Sequence, residues 1–372
     1  MRLVVMRPLA FLAAIVILCG CGSPKTSSSD SPQATSAASS PRLESPSAVA
    51  SQSGCTTAGT CPPKRVRGAF GFDQDRQAVI VFGGIALPSS VVNGKVATLN
   101  DTWEWNEGSG WANRTSQPRP SPRDSAAMAY DPAMHALLLY GGRFVGGGTV
   151  PCDDFGKIFC STDTWAWNGT MWTELHPNAV PDLGPSTMAF DYGAGQMILY
   201  GFSFSRYGTW IWDGTSWSDV TGQSGSPQPG RINPRMAFDS STGHIVMFGG
   251  FNAGGGDLWH MWTWSGGRWI PMKATAPPSV ATAADSQGHG LLLYRDPAYH
   301  GTSTNYIKDS GSETWRWDGS QWVQFSPAHD PDVFASGMFD DPKGQRVLLV
   351  GVKPNGALEI WAWHGSDWSR LG

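Results

Sequence analysis

An all-β chain folded as a six-bladed β-propeller of four-stranded blades is what the sequence predicts, and three observations predict it. The 372 residues include 46 Gly and 19 Trp, as expected of many short strands joined by tight turns and packed through large aromatics. A Trp-x-Trp pair recurs at Trp103 and Trp105, Trp165 and Trp167, Trp210 and Trp212, Trp262 and Trp264, Trp315 and Trp317, and Trp361 and Trp363. Two more strand-like segments precede each pair and a returning one with a third tryptophan follows it, so the repeating unit holds four strands in about 50 residues, and internal repeats outrank other signals of fold.

Residues 1–21 stand outside that repeat. Arg2 and Arg7 give a positive start, and the apolar run Leu9 to Leu18 is too short to span a bilayer comfortably, which predicts a signal peptide. It ends in Leu18-Cys19-Gly20-Cys21, which resembles the bacterial lipobox, where a small residue precedes the cysteine that is lipidated and becomes the mature N-terminus. The resemblance implies a lipoprotein with Cys21 as the lipid-attachment (palmitate) residue, exported and lipid-anchored to the bacterial cell envelope. The alternative is an ordinary secreted protein cleaved nearby.

Residues 22–62 are rich in Ser, Pro, Ala and Thr. With almost no large apolar side chains they cannot bury enough surface to offset ordering entropy, so a disordered tether is expected. Cys55 lies near Cys61, and Cys152 near Cys160. In an oxidising compartment two local disulfides are the economical pairing. A metal site is the alternative, although no histidine cluster accompanies either pair.

Residues 63–372 form the expected propeller. Side chains in a strand alternate, so both members of a Trp-x-Trp pair face one side of the sheet and enter one blade interface. A turn such as Asn168-Gly169, Asp213-Gly214 or Asp318-Gly319 follows, and a third tryptophan (Trp111, Trp172, Trp217, Trp269, Trp322, Trp368) returns opposite the second. Only Trp259 lies outside this pattern. Upstream, segments such as Ala127 to Asp131 and Ala136 to Gly142 supply the inner strands, with small residues near the axis and a double glycine at a close backbone turn. The double glycine, the aromatic segment and the spaced tryptophan resemble the kelch repeat. The Asp-Thr-Trp-x-Trp-x-Gly variant at Asp163 to Gly169 resembles bacterial envelope kelch proteins, loosely grouped with the galactose oxidase central domain. No strand exchange closing the ring is evident.

With 26 Lys+Arg against 30 Asp+Glu and no cationic stripe, nucleic acid is excluded as a partner. If the strands of a blade are A to D from the axis outward, the A–B and C–D turns emerge on one face and the B–C loops on the other. Three B–C loops are long, and loops of that length are more often functional than ornamental. The candidate ligand-binding residues on that face are Arg143, Asp153, Asp154 and Lys157, then Arg295, Tyr299, His300, Tyr306 and Lys308, with Trp259 and His260 near a shorter loop. Variable surface loops stapled by a disulfide are the bland alternative. His135, His244 and His289 fall just before strand B, where other units carry Gln77, Gln196 and Gln345. Copies in separate blades do not readily converge on one ion, so no metal and no cofactor are expected.

Two function classes follow. The first and favoured one is a monomeric binding module of the envelope, recognising a protein or a glycan through the long B–C loop face and touching the membrane only through its anchor. The second is a carbohydrate-active enzyme resembling galactose oxidase, a copper oxidase, or a propeller glycosidase. No copper ligand set is visible in the sequence, the mature cysteines are paired in the expected scheme, and the Ser-x-Asp-x-Gly-x-x-Trp box of sialidases is absent as such.

Overall fold

The computed structural model describes residues 60–87, 91–92, 95–144, 150–151, 159–203, 206–225, 227–228, 230–252, 256, 258–277, 281–285, 287–288, 290–302, 305–354 and 357–372. The leader, Cys21, nearly all of the tether, Cys55 and Cys152 lie outside them. Two compact units are distinguished: the propeller, with Gln52–Pro297 and Gly311–Gly372, and a second unit that includes Ala298–Ser310.

Six four-stranded antiparallel blades make up the propeller, each contiguous in sequence and ordered A-B-C-D. Blade 1 is Ala69–Asp73, Ala78–Ala86, Thr98–Asn106 and Gly110–Asn113. Blade 2 is Ala127–Asp131, Ala136–Tyr140, Thr164–Trp167 and Trp172–Leu175. Blade 3 is Ser186–Asp191, Gln196–Ser203, Arg206–Trp212 and Trp217–Asp219. Blade 4 is Arg235–Asp239, His244–Phe248, His260–Ser265 and Arg268–Thr275. Blade 5 is Ala281–Asp285, Gly290–Arg295, Glu313–Trp317 and Trp322–Phe325. Blade 6 is Phe334–Asp341, Arg346–Val352, Leu358–Trp363 and Trp368–Arg370. A short extra strand, Arg65–Val66, pairs with Ile85 and Ala86 at the end of strand B in blade 1.

The tryptophans do what their spacing requires. Trp167 pairs across the C–D hairpin with Trp172, Trp212 with Trp217, and Trp363 with Trp368, with ring centroids 5.3–5.4 Å apart. Each trio enters the interface with the preceding blade: Trp165, Trp167 and Trp172 pack on Ile80 and Phe82 of blade 1. The third indole also donates a hydrogen bond into that blade, to the threonine before its Trp-x-Trp. Trp172 reaches Thr102 at 2.8 Å, Trp217 reaches Thr164 at 3.0 Å, Trp269 reaches Thr209 at 3.0 Å and Trp368 reaches Thr314 at 2.9 Å. Blade 4 has Met261 at the threonine position, and Trp322 Nε1 meets its sulfur at 3.3 Å. Each buried ring removes about 150–250 Å² from water, so these side chains dominate the interfaces.

The ring closes on apolar packing rather than on a shared strand. Phe72, Val79 and Trp105 of blade 1 cluster with Leu348, Val350, Leu358 and Ile360 of blade 6. Ile360 stands where blades 1, 2, 3 and 5 carry the threonine, so this interface gives up one hydrogen bond for aliphatic contact.

Every A strand ends on a buried aspartate: Asp73, Asp131, Asp191, Asp239, Asp285 and Asp341. In blade 2, Asp131 Oδ1 accepts the amides of Ala133 and Met134 at 2.9 and 3.2 Å. The same arrangement at Asp73 and Asp191 shows the carboxylate closing the A–B turn on backbone donors that would otherwise be unpaired. This register corrects the histidine alignment. Gln77, His135 and Gln345 hold the last turn position in the left-handed region, with φ of 53–55°. Gly195 and Gly243 occupy that position in blades 3 and 4, and Gln196 and His244 are already the first residues of strand B, opposite Asp191 and Asp239. His289 lies outside the described residues.

The double glycine has the expected backbone cause. Gly141 and Gly142 have φ of 66° and 102°, and a Cβ on Gly142 would sit 3.1 Å from the Asp124 carbonyl oxygen.

Candidate functional site

On the B–C loop face, the ends of blades 1 and 2 are knitted by charge. Arg65 is fully buried; its Nη1 donates to the Gly83 carbonyl at 2.8 Å, and Nη1 and Nη2 grip the Asp101 carboxylate at 2.8 and 2.7 Å. Arg123 repeats this in blade 2, with Gly141 at 2.9 Å and Asp163 at 2.5 and 2.7 Å. Burial alone would raise the Asp163 pKa; the hydrogen bonds and charge of Arg123, with bonds from Ser161 and Trp165, hold it below the usual carboxylate range. These clasps tie the end of strand B and the start of strand C to the chain entering the blade.

The loop-face candidates divide accordingly. Arg143 is half-buried and paired with Asp124 at 2.5 Å, and Arg295 is paired with Glu313, so both are engaged within the fold. Trp259 is 37% exposed and His260 is exposed at the start of strand C in blade 4. Asp153, Asp154 and Lys157 lie outside the described residues. Tyr299, His300, Tyr306 and Lys308 belong to a hairpin of the second compact unit, in which Tyr299 is opposite Lys308 and Gly301 opposite Tyr306; their side chains lie outside the described set. Cys61 and Cys160 are buried and disulfide-bonded, while Cys55 and Cys152, to which the sequence pairs them, are not among the described residues. Asp296, just beyond strand B of blade 5, has its pKa raised to about 6 by burial, against the Ala335 N–H at 2.8 Å and the nearby charge of Arg235.

The opposite face holds a cavity that was not foreseen. The six A strands converge there on about 170 Å³ of space at the mouth of the central channel. Two layers of side chains line it: Met128, Met188, Met236 and Met338 below, and Phe72, Tyr130, Phe190 and Phe238 above, each at an equivalent place in its repeat. In the aromatic layer, blade 6 instead supplies the half-buried carboxylate of Asp340.

Tyr192, the first residue of the A–B turn in blade 3, leans over this mouth. It is 45% exposed, and its ring meets Phe190 and Phe238 edge-on at centroid distances of 5.0 and 5.1 Å. Gln74 of blade 1 donates to its hydroxyl at 2.9 Å. Partial burial, with the charges of Asp340 and Asp131, holds the phenol above its usual pKa, so it remains a neutral donor. The arrangement offers aromatic faces, a phenol, an amide and a carboxylate around a space about one sugar ring in size. The signal in the sequence was the residue on either side of the repeated aspartate, where Asp340 replaces the aromatic that four blades carry before it and Tyr192 adds an aromatic after it.

A further cavity of about 270 Å³ lies between blades 3 and 4. Its walls are largely the turns at Gly193, Gly243, Gly266 and Gly267, and its polar side chains include His244 and Ser265, already bonded to each other at 3.3 Å. Among the described residues, no group of three or more His, Cys, Asp or Glu side chains is placed to hold a metal ion.

No family model and no curated protein matches the chain. Solved structures do. YjhT superposes with a TM-score of 0.53 at 10% identity, over 84% of this chain and 99% of that one. The SapL1 lectin in complex with alpha methyl fucoside gives 0.51 at 14% identity, over 82% and 96%. A mutant of AofleA from Arthrobotrys oligospora gives 0.50 at 14% identity, over 82% and 86%. At these identities the likeness is one of fold: the chain is a six-bladed β-propeller with lectins among its structural neighbours.

Proposed function

We propose that this chain is a glycan-binding module of the cell envelope, held there by a lipid on Cys21, with the channel mouth as its sugar site. The observation that carries the reading is Tyr192 with Phe190, Phe238, Gln74 and Asp340 around one compact space. Apolar rings with a few placed polar groups form the usual chemistry of a small-ligand site, and the CH faces of a sugar stack on such rings while its hydroxyls take the phenol, amide and carboxylate. The kelch-like repeat supplies the scaffold in this reading, and the local pairing of Cys55 with Cys61 and Cys152 with Cys160, expected from the sequence, belongs with an exported location.

The lectin in complex with alpha methyl fucoside sets the first sugar to try. A glycan array that includes fucosides, followed by titration of the best hit, tests the site. Tyr192→Ala is expected to weaken binding by at least about tenfold, the equivalent of ~1.4 kcal/mol, with the melting midpoint little changed because the ring is half exposed. Binding that survives Tyr192→Ala and Asp340→Asn would remove the mouth from consideration. For the anchor, palmitate should label the chain in cells and fail to label Cys21→Ser; equal labelling of both, or none of either, contradicts it.

A further inference from the structure

Blade 4 keeps a cation whose acid has been lost. The residue two before the first tryptophan of each Trp-x-Trp is acidic in four blades, and there it accepts the indole N–H. Trp103 donates to Asp101 and Trp165 to Asp163, both at 2.7 Å; Trp315 donates to Glu313 at 3.0 Å and Trp361 to Glu359 at 2.9 Å. Each of these acids also holds a cation: Arg65, Arg123, Arg295, or Lys353 with Arg370. In blade 3 both partners have gone: Gly208 and Leu183 stand at the acid and arginine positions.

Blade 4 retains Arg231 at the arginine position, with no exposed surface. Its Nη1 keeps the glycine carbonyl, Gly249, at 3.2 Å, and adds the His260 carbonyl at 3.0 Å. His260 occupies the acid position but is exposed. As a result, among the described residues, Arg231 Nε, Arg231 Nη2 and Trp262 Nε1 are all buried without a hydrogen-bond partner. In blades 1 and 2 the corresponding arginine and indole share one carboxylate. A buried guanidinium lacking a counter-charge is strongly unfavourable, and burial holds the Arg231 pKa below its ordinary value.

We propose that Arg231 and Trp262 form a receptor for a ligand carboxylate, which supplies the counter-charge that Asp101 and Asp163 supply in blades 1 and 2. Nη2, which grips the aspartate in blades 1 and 2, and Nε, which there donates to the Pro63 or Ser121 carbonyl, together present two parallel donors to the carboxylate oxygens, and the Trp262 indole adds a third donor. The carboxylate comes from a free small monocarboxylate or from an acidic sugar. This site belongs to the B–C loop face, where the sequence placed Trp259 and His260, and it does not rest on the sugar reading of the channel mouth.

Calorimetric melting of the full propeller at pH 7 and constant ionic strength, with sodium acetate, sodium glucuronate, glucose or sodium chloride, provides the test. The midpoint is expected to rise by about 2–4 °C once a carboxylate exceeds its dissociation constant tenfold, and not with glucose or chloride. A response to acetate alone assigns a small monocarboxylate, and a response to glucuronate assigns an acidic sugar. His260→Asp restores the acid of the repeat; it should melt higher than wild type without ligand and lose at least about tenfold in carboxylate affinity. His260→Asn, which brings no charge, should keep the response. Trp262→Phe removes one donor and should weaken carboxylate binding several-fold while the propeller still folds. An undiminished carboxylate response in both His260→Asp and Trp262→Phe, or a wild-type midpoint that does not distinguish acetate and glucuronate from chloride, overturns the proposal.

Discussion

At the scale of single residues, burial and hydrogen bonding decide what each side chain contributes. Asp296 has a folded pKa of about 6, above the unfolded value of about 3.9. The folded state therefore binds its proton more tightly, and the stability linked to this group is fully present below about pH 4 and lost as the pH rises through about 6. Asp296→Asn should remove that slope and stabilise the protein at pH 7 by up to about 3 kcal/mol. Denaturant melts of both proteins at pH 4 and pH 7 check this, and an equal pH dependence in the two would contradict it. Thr164→Val keeps the shape but orphans the buried Trp217 indole, which donates to Thr164 at 3.0 Å. The expected loss is about 1–3 kcal/mol in a urea melt. The sequence announced the tryptophans, because Trp-x-Trp spacing needs only strand periodicity to be read. It did not announce their threonine acceptors in the neighbouring blade, since that contact joins residues 53 to 70 positions apart.

At the scale of elements, the repeat is a turn device and a clasp. The aspartate ending each A strand closes the A–B turn, and the Arg–Asp pair fixes the opposite end of strand B to strand C. Asp163→Asn leaves the buried Arg123 without its counter-charge, and a loss of about 3–5 kcal/mol is expected. An Arg123→Met, Asp163→Leu double variant should lose less than Asp163→Asn alone, because no charge remains buried. Unfolding free energies of the single and double variants decide between this and a clasp that contributes nothing. Peptide mapping under non-reducing conditions should recover Cys55 with Cys61 and Cys152 with Cys160; any other pairing contradicts the local scheme. The blade boundaries and double-glycine turns were legible because each rests on local chemistry. The histidine alignment slipped by one residue because turns of equal length place either a glycine or a Gln or His in the left-handed position, and the alternatives look alike in sequence.

At the scale of the molecule, six blades close into a ring through the apolar contact of blade 6 with blade 1. A ring has no terminal blade to fray, so Leu348→Ala at the closing interface and Leu138→Ala between blades 2 and 3, both buried, should each cost about 2–5 kcal/mol and leave one unfolding transition. A separate early transition in Leu348→Ala would show that the closing contact does not hold. The blade count was legible from the repeat, while the channel mouth was not: its residues come from all six blades and converge only once the ring forms. Loop length drew attention to the B–C face, whereas the cavity proposed to take a sugar lies at the short turns, lined by Tyr192 and Asp340. The most direct measurement of the central claim is hydrogen exchange by mass spectrometry on the propeller, with and without the best array sugar. Protection concentrated at the A-strand ends and A–B turns, residues 72–77, 190–195 and 338–345, is the expected result. Protection confined to the long B–C loops, with those turns unchanged, would contradict the account.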